Sequence, residues 1–267
     1  MLLADAIGLQ KGDALACVGA GGKTTTCWRL WLETRGKGGL PVFTTTTHIL
    51  EPALPENSAL LLSRDPRPER IRRIARLAGG LILAASRLPD EVSDGLSNPV
   101  APALPVKLAG LQAATLDQLI ETLPEVTWLV EADGARGRSL KYPSAHEPVI
   151  PARATIVAVL AHVDVIGRAL DGNVAHRPDL VAEHLGLEMG STIDAGHLVR
   201  LLVDPNAGLK GIPTGARVVA VLNQRDESAP RPESRWIARA ALASGHYERV
   251  VSASLQARRP VLEVFTR

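Results

Sequence analysis

Hydrophobic positions along the chain gather into short apolar runs separated by amphipathic stretches, an alternation that predicts strands and helices in turn. The first run, Ala14 to Val18, reads as a short buried strand. After a glycine turn, Thr24 to Arg35 carries Cys27, Trp28, Leu30, Trp31 and Leu32 on nearly all sides of a helix, which predicts burial against a sheet. Gly36 to Gly39 end that helix, and Leu40 to Thr45 follows as a strand. Between Arg64 and Arg76, Ile71, Ile74 and Ala75 fall on one helical face with Ala78. Arg70, Arg72, Arg73 and Arg76 lie outside that face, so this side is read as solvated. Leu81 to Ala85 predicts a strand, and Arg87 to Lys107 is proline-rich and irregular, an expected insertion around residues 87–110. Thr115 to Leu123 reads as a short helix capped by Thr115. Strands follow at Val126 to Glu131 and Thr155 to Ala161. Helices are predicted at Asp179 to Leu187 and, capped by Thr192, at Ile193 to Val203, within a small helical insertion around 165–210. Arg217 to Leu222 and Arg249 to Ser252 complete the core strands. The pattern predicts one α/β domain over 267 residues: a mostly parallel sheet with helices on both faces.

Composition narrows the function. A hydrophobic content of 46% with 22% charged residues is that of an ordinary globular chain. A net charge of +2 argues against nucleic acid or an anionic membrane as partner, and the arginine-rich helix lacks the interleaved aromatics of a nucleic-acid groove. Two cysteines, Cys17 and Cys27, give no disulfide framework. Met1 to Leu9 lacks a basic region and carries Asp5, unlike a secretory signal, so a cytoplasmic location is expected. Closely spaced zinc- or nickel-type ligands are absent from the sequence.

The candidate chemistry starts where the first strand ends. Gly19-Ala20-Gly21-Gly22-Lys23-Thr24-Thr25 places a glycine turn between strand and helix, the order a phosphate-cradling loop needs. Lys23 is expected to reach the terminal phosphates and Thr24 to sit on Mg²⁺, although Cys17 stands where such loops usually carry their first glycine. Glu131-Ala132-Asp133-Gly134 closes a later strand with acids and a glycine. Asp133, with Glu131 as alternative, is expected to hold Mg²⁺, and the Gly134 amide to sense the last phosphate. Thr46 and Thr47 end the second strand, with His48 beside them, at the edge where ligands collect in such sheets.

Arg136 and Arg138 are candidates for stabilising phosphoryl charge, and His146 or Glu147 for positioning water; Lys141 lies between them. His176-Arg177-Pro178 reads as a helix-entry turn or a substrate contact. Asn223-Gln224-Arg225-Asp226 ends another strand and suits a guanine, with a backbone N–H near Ser252 to Ser254 for its carbonyl oxygen. The ligands expected are therefore Mg²⁺ with GTP or ATP.

Read together, Gly19 to Thr25, Thr44 to His48, Glu131 to Arg136, Leu140-Lys141 with His146-Glu147-Pro148, His176 to Pro178 and Asn223 to Asp226 resemble the YqeC family. The resemblance implies a P-loop accessory protein in the maturation of selenium-dependent molybdenum hydroxylases. Its partners would be such a hydroxylase or its cofactor-loading protein. Glu131-x-x-Gly134 also looks like the corresponding element of nucleotide-driven metallocentre chaperones, which often dimerise, so a homodimer is a further expectation. Three readings follow: a slow nucleotide hydrolase acting as a switch; a small-molecule kinase or ligase in which Lys141, His146 and Arg177 grip an acceptor; and a non-enzymatic scaffold for a nucleotide-bearing cofactor.

Overall fold

The structure, a computed structural model, describes residues 1–52, 54, 56, 58–88, 106–225 and 228–267. Its central sheet has nine strands: β1 (Ala14–Gly19), β2 (Pro41–Thr45), β3 (Ala59–Leu62), β4 (Leu81–Ala84), β5 (Thr127–Glu131), β6 (Ile156–His162), β7 (Arg217–Asn223), β8 (Arg249–Ala253) and β9 (Val261–Thr266). They lie in the order β9-β8-β7-β6-β1-β5-β2-β4-β3, parallel throughout except for the antiparallel edge pair β8–β9.

Side chains alternate across the pleat, so each inner strand feeds two cores. Ala14, Ala16 and Val18 of β1 join a core on the face covered by α3 (Pro68–Ala78), α4 (Ala113–Thr122), α5 (Pro178–Leu185), α6 (Ala195–Val203) and α7 (Pro232–Ala243). Leu15 and Cys17 join the opposite core, under α1 (Leu3–Ile7) and α2 (Lys23–Gly36). Glu33 of α2 accepts the N–H groups of Leu3 and Ala4, tying α1 down. The expected α/β fold, with helices on both faces of a mostly parallel sheet, is present.

Several local expectations need correcting. In α2 the helix buries Cys27, Leu30 and Trp31, but Leu32 faces solvent. The first helical residue of α4 is Ala113, after Gln112, so Thr115 lies inside the helix. Asp194, not Thr192, caps α6: it accepts from His197 N at 2.9 Å, and His197 Nδ1 answers from Asp194 N. Strand β8 is not the last in the sheet, because β9 follows it. Every residue of β9 is partly accessible, as suits an edge strand, and its alternation is correspondingly blurred. Residues 165–210 do carry α5 and α6. In the stretch 87–110, residues 89–105 lie outside the described part. Lys107–Ala109 pairs with both Ser86–Arg87 and His48–Leu50 in a small antiparallel sheet. No helix among the described residues is long and apolar enough to cross a membrane.

What matters for the site is register. Cys17 of β1 pairs with Glu131 of β5, Thr45 of β2 also pairs with Glu131, Gly19 pairs with Leu160 of β6, and His162 pairs with Asn223. The C-terminal ends of β2, β5, β1, β6 and β7 therefore share one rim of the sheet.

Candidate functional site

Chain reversal after β1 is possible only with glycine. Gly19 has φ +90°, and a Cβ there would stand 2.3 Å from Leu160 O; Gly21 has φ +82°, and its Cβ would stand 2.4 Å from Cβ of His162. Alanine at either position meets both a forbidden backbone region and a filled neighbour. Cys17 causes no conflict, because it lies in β1, fully buried among apolar neighbours, ahead of the turn.

The loop amides divide into two sets. Gly19 N donates to Asp133 Oδ2 at 3.0 Å and Ala20 N to Leu160 O at 3.1 Å, so both turn back into the protein. Thr26 N makes the first helical bond, to Gly22 O at 2.8 Å. The N–H groups of Lys23, Thr24 and Thr25 therefore open α2 without an i−4 partner, the usual state of a helix N-terminus.

Two carboxylates face this loop from the end of β5. Lys23 Nζ lies 2.6 Å from Gly19 O and 3.0 Å from Asp133 Oδ1, while Lys141 Nζ lies 3.0 Å from Asp133 Oδ2. Asp133 thus serves two ammonium groups and the loop amide at once, with all three side chains almost wholly buried. Burial works against the charge on Lys23, but Asp133 and Glu131 outweigh it and raise the lysine above its ordinary value. Thr24 Oγ1 donates to Glu131 Oε2 at 2.7 Å. Burial pushes the Glu131 carboxyl above its usual range despite the opposing effects of Lys23 and that hydroxyl.

A second cluster continues from Lys141. Its ammonium also reaches Gly134 O at 2.7 Å and Glu147 Oε2 at 3.0 Å, and Arg177 grips Glu147 with two bonds, at 2.7 and 3.2 Å. Burial raises the Glu147 carboxyl, but Arg177 and Lys141 overcome it and hold it at about 2, below the ordinary 4.5. A depressed carboxyl stabilises the fold above its unfolded pKa and loses that contribution as pH falls. The wild type is therefore expected to lose stability between about pH 4.5 and about 2 more steeply than Glu147→Gln. At neutral pH the variant should be less stable by about 1.5–3 kcal/mol. Denaturant unfolding across that acid window checks both; parallel pH slopes would contradict the pairing.

The remaining expected residues sit as follows. Thr46 Oγ1 donates to Val149 O at 2.7 Å, and Thr47 N donates to Thr45 Oγ1 at 3.0 Å, so both are fixed on the rim beside Glu131. Asn223 Nδ2 donates to Gly21 O at 2.9 Å and its Oδ1 accepts from Leu255 N at 3.2 Å, which braces the loop. Asp226 lies outside the described residues. Ser252 is fully buried within β8, between β7 and β9, one residue before the end of the strand. His48, Arg136 and His146 are exposed. His162, which packs on Gly21, was missed; it closes a core strand as Asn223 does, and that position was the available signal. Its ring is pushed below the usual range by burial, against the pull of Asp164. Among the described residues, no group of three or more His, Cys, Asp or Glu side chains gathers as a metal site.

Comparison with known proteins places the chain. It matches no solved structure. It is 28% identical over 225 residues to the protein named "Uncharacterized protein YqeC" from Escherichia coli (strain K12), an alignment covering 82% of this chain and 78% of that one. The family model described as "YqeC protein" matches residues 15–179, more than half of the chain, from the second residue of β1 to just past Arg177. The chain belongs to the YqeC family.

Proposed function

We propose that the protein is a P-loop nucleoside-triphosphate-binding protein that hydrolyses GTP or ATP with Mg²⁺. The observation that carries this reading is the pairing across the β1–β5 junction: Lys23 and the loop amide of Gly19 on Asp133, and Thr24 on Glu131. A lysine, a hydroxyl, open helix amides and two acids meet at the end of adjacent parallel strands, which is the set that polyphosphate recognition requires.

The residues fit a magnesium ion, and they favour Glu131 over Asp133 as its carboxylate. Asp133 is already shared among Lys23, Lys141 and Gly19 N, whereas Glu131 holds only the Thr24 hydroxyl on its side chain. Thr24 and Glu131 would hold the ion, leaving its other positions to water and phosphate oxygens. Bound there, Mg²⁺ would neutralise charge developing on the phosphates. Lys23 would exchange Gly19 O for a terminal phosphate oxygen, and Asp133 would keep its ammonium aimed. The amides of Gly21 to Thr25 would take the phosphates; Thr46, Thr47 and Gly134 would sense the last one. Asn223 shapes the loop, and the motif Asn223-Gln224-Arg225-Asp226, read in the sequence as suited to guanine, is the ground for ranking GTP ahead of ATP.

The accessory role in maturing a molybdenum hydroxylase with a selenium-containing cofactor is supported by family resemblance. Transfer to a small acceptor is favoured as a second reading by one observation, the Lys141–Glu147–Arg177 chain that leads away from Asp133. Titration of the purified protein with ATP, GTP and CTP, each with Mg²⁺, tests the proposal. Binding of GTP or ATP, with turnover on the order of 10⁻⁴–10⁻² per second as in unassisted switch proteins, is expected. Failure of all three to bind would refute it.

A further inference from the structure

Beyond the loop, the same rim carries positive charge that nucleotide binding does not use. Lys141 and His176 are neighbours in a two-stranded parallel ladder, Leu140–Lys141 with Ala175–His176. Arg177 follows at the entry to α5, its guanidinium fixed by both oxygens of Glu147. Arg136 stands on the turn after Gly134, close enough that its charge, with those of Arg177 and Lys141, adds to burial in pushing His176 below its ordinary range.

Backbone strain marks the same place. Among the described residues only two non-glycine residues have positive φ, Arg136 at 48° and Arg177 at 58°. Such a conformation is strained and persists where the surroundings impose it, commonly at ligand sites. Here both belong to arginines acting on one histidine. Glu147 is the cluster's own carboxylate, and it is saturated: it accepts from Lys141 and twice from Arg177. Asp133 is likewise shared by two lysines. A cavity of about 50 Å³ adjoins Asp133 and Lys141; its walls are mainly apolar, with Leu198 and Leu202 of α6 among them, and Arg136, His176 and Arg177 lie outside its lining.

We propose that Arg136, Lys141, His176 and Arg177 form a second oxyanion subsite, which binds a small carboxylate- or phosphate-bearing substrate beside the nucleotide's terminal phosphate. Arg177 and Arg136 grip the oxyanion; Lys141 joins the two sites through Asp133. The inference rests on the phosphate-loop reading and names the substrate class for it. The reaction it fits is phosphoryl transfer to an anionic oxygen. The acceptor oxygen supplies the electron pair for the new bond to the γ-phosphorus. The bond from that phosphorus to the β,γ-bridging oxygen breaks, and the nucleoside diphosphate leaves with its electron pair. An acceptor that arrives ionised has no proton to lose, which suits a cluster whose carboxylate oxygens are already engaged.

The test uses the full chain saturated with Mg²⁺ and GMP-PNP or AMP-PNP, so that the terminal phosphate position is filled, and titrates it by calorimetry with inorganic phosphate and with succinate. Saturation is verified in each variant by its own nucleotide titration. At least one probe should bind the wild type, and Arg177→Ala and Arg136→Ala should each weaken it about tenfold or more, with Arg177→Lys intermediate. Arg136 is exposed, so its variant keeps the test open if Arg177→Ala folds poorly. Phosphate alone would mark a phosphorylated substrate, succinate alone a carboxylate; either supports the subsite. Absence of binding by both probes, or equal binding in wild type and both alanine variants, would overturn it with nucleotide binding intact. Failure of the wild type to bind nucleotide would instead overturn the phosphate-loop reading and this inference together.

Discussion

Lys23→Ala is expected to lower affinity for the nucleoside triphosphate by about a hundredfold or more, since a buried charge-assisted contact to phosphate contributes several kcal/mol. The fold should survive the change. Asp133 would keep Lys141 Nζ and Gly19 N as partners, both at 3.0 Å, so no carboxylate is left buried and unpaired. Calorimetric titration with the Mg²⁺-nucleotide measures the affinity, and a melting curve monitors the fold. Affinity within about threefold of wild type would remove Lys23 from the phosphate site.

Asp133→Asn should act in the opposite way, on stability first. Lys23 and Lys141 are exposed by only 4% and 7%, and they share this one carboxylate; Lys141 has Glu147 besides, whereas Lys23 keeps only Gly19 O at hydrogen-bond distance. Removing one partner of a buried ion pair typically costs about 3–5 kcal/mol, because the remaining charge is left without compensation. For a chain of this size that corresponds to a fall in Tm on the order of 10 °C. The side chain keeps its shape, so a cavity cannot account for the loss. Urea unfolding of the two proteins checks the figure; a difference under about 1 kcal/mol would contradict the shared-carboxylate arrangement.

Much of this site was legible because its parts are local. Gly19 and Gly21 are called for by a turn that needs positive φ, and the apolar run before them and the helix after them announce that turn. The end of β5 was readable for the same reason: five buried residues, the last of them Glu131, lead on to Asp133. What the sequence concealed depends on partners distant along the chain. The contacts of one Asp133 oxygen with Lys141 and Gly19 N cannot be read from the Glu131-Ala132-Asp133-Gly134 block. The contacts of Asn223 with Gly21 O and Leu255 N cannot be read from its own motif. The engagement of Arg177 with Glu147 spans 30 residues, and no periodicity encodes it. His162 sits against the space that Gly21 leaves open, a contact between the end of β6 and the turn after β1 that no local pattern announces. The cap errors have a simpler origin: Thr115 and Thr192 have the right chemistry, but the helices begin where tertiary packing sets them, after Gln112 and Asp194.

The turn after β1, with Lys23 and Thr24, is expected to cradle a polyphosphate against the acids of β5. The decisive measurement is a structure of the protein with Mg²⁺ and GMP-PNP. The phosphates are expected on the amides of Gly21 to Thr25, with Lys23 drawn off Gly19 O and Glu131 beside the ion. A triphosphate bound elsewhere, with Lys23 still on Gly19 O and Asp133, would contradict it.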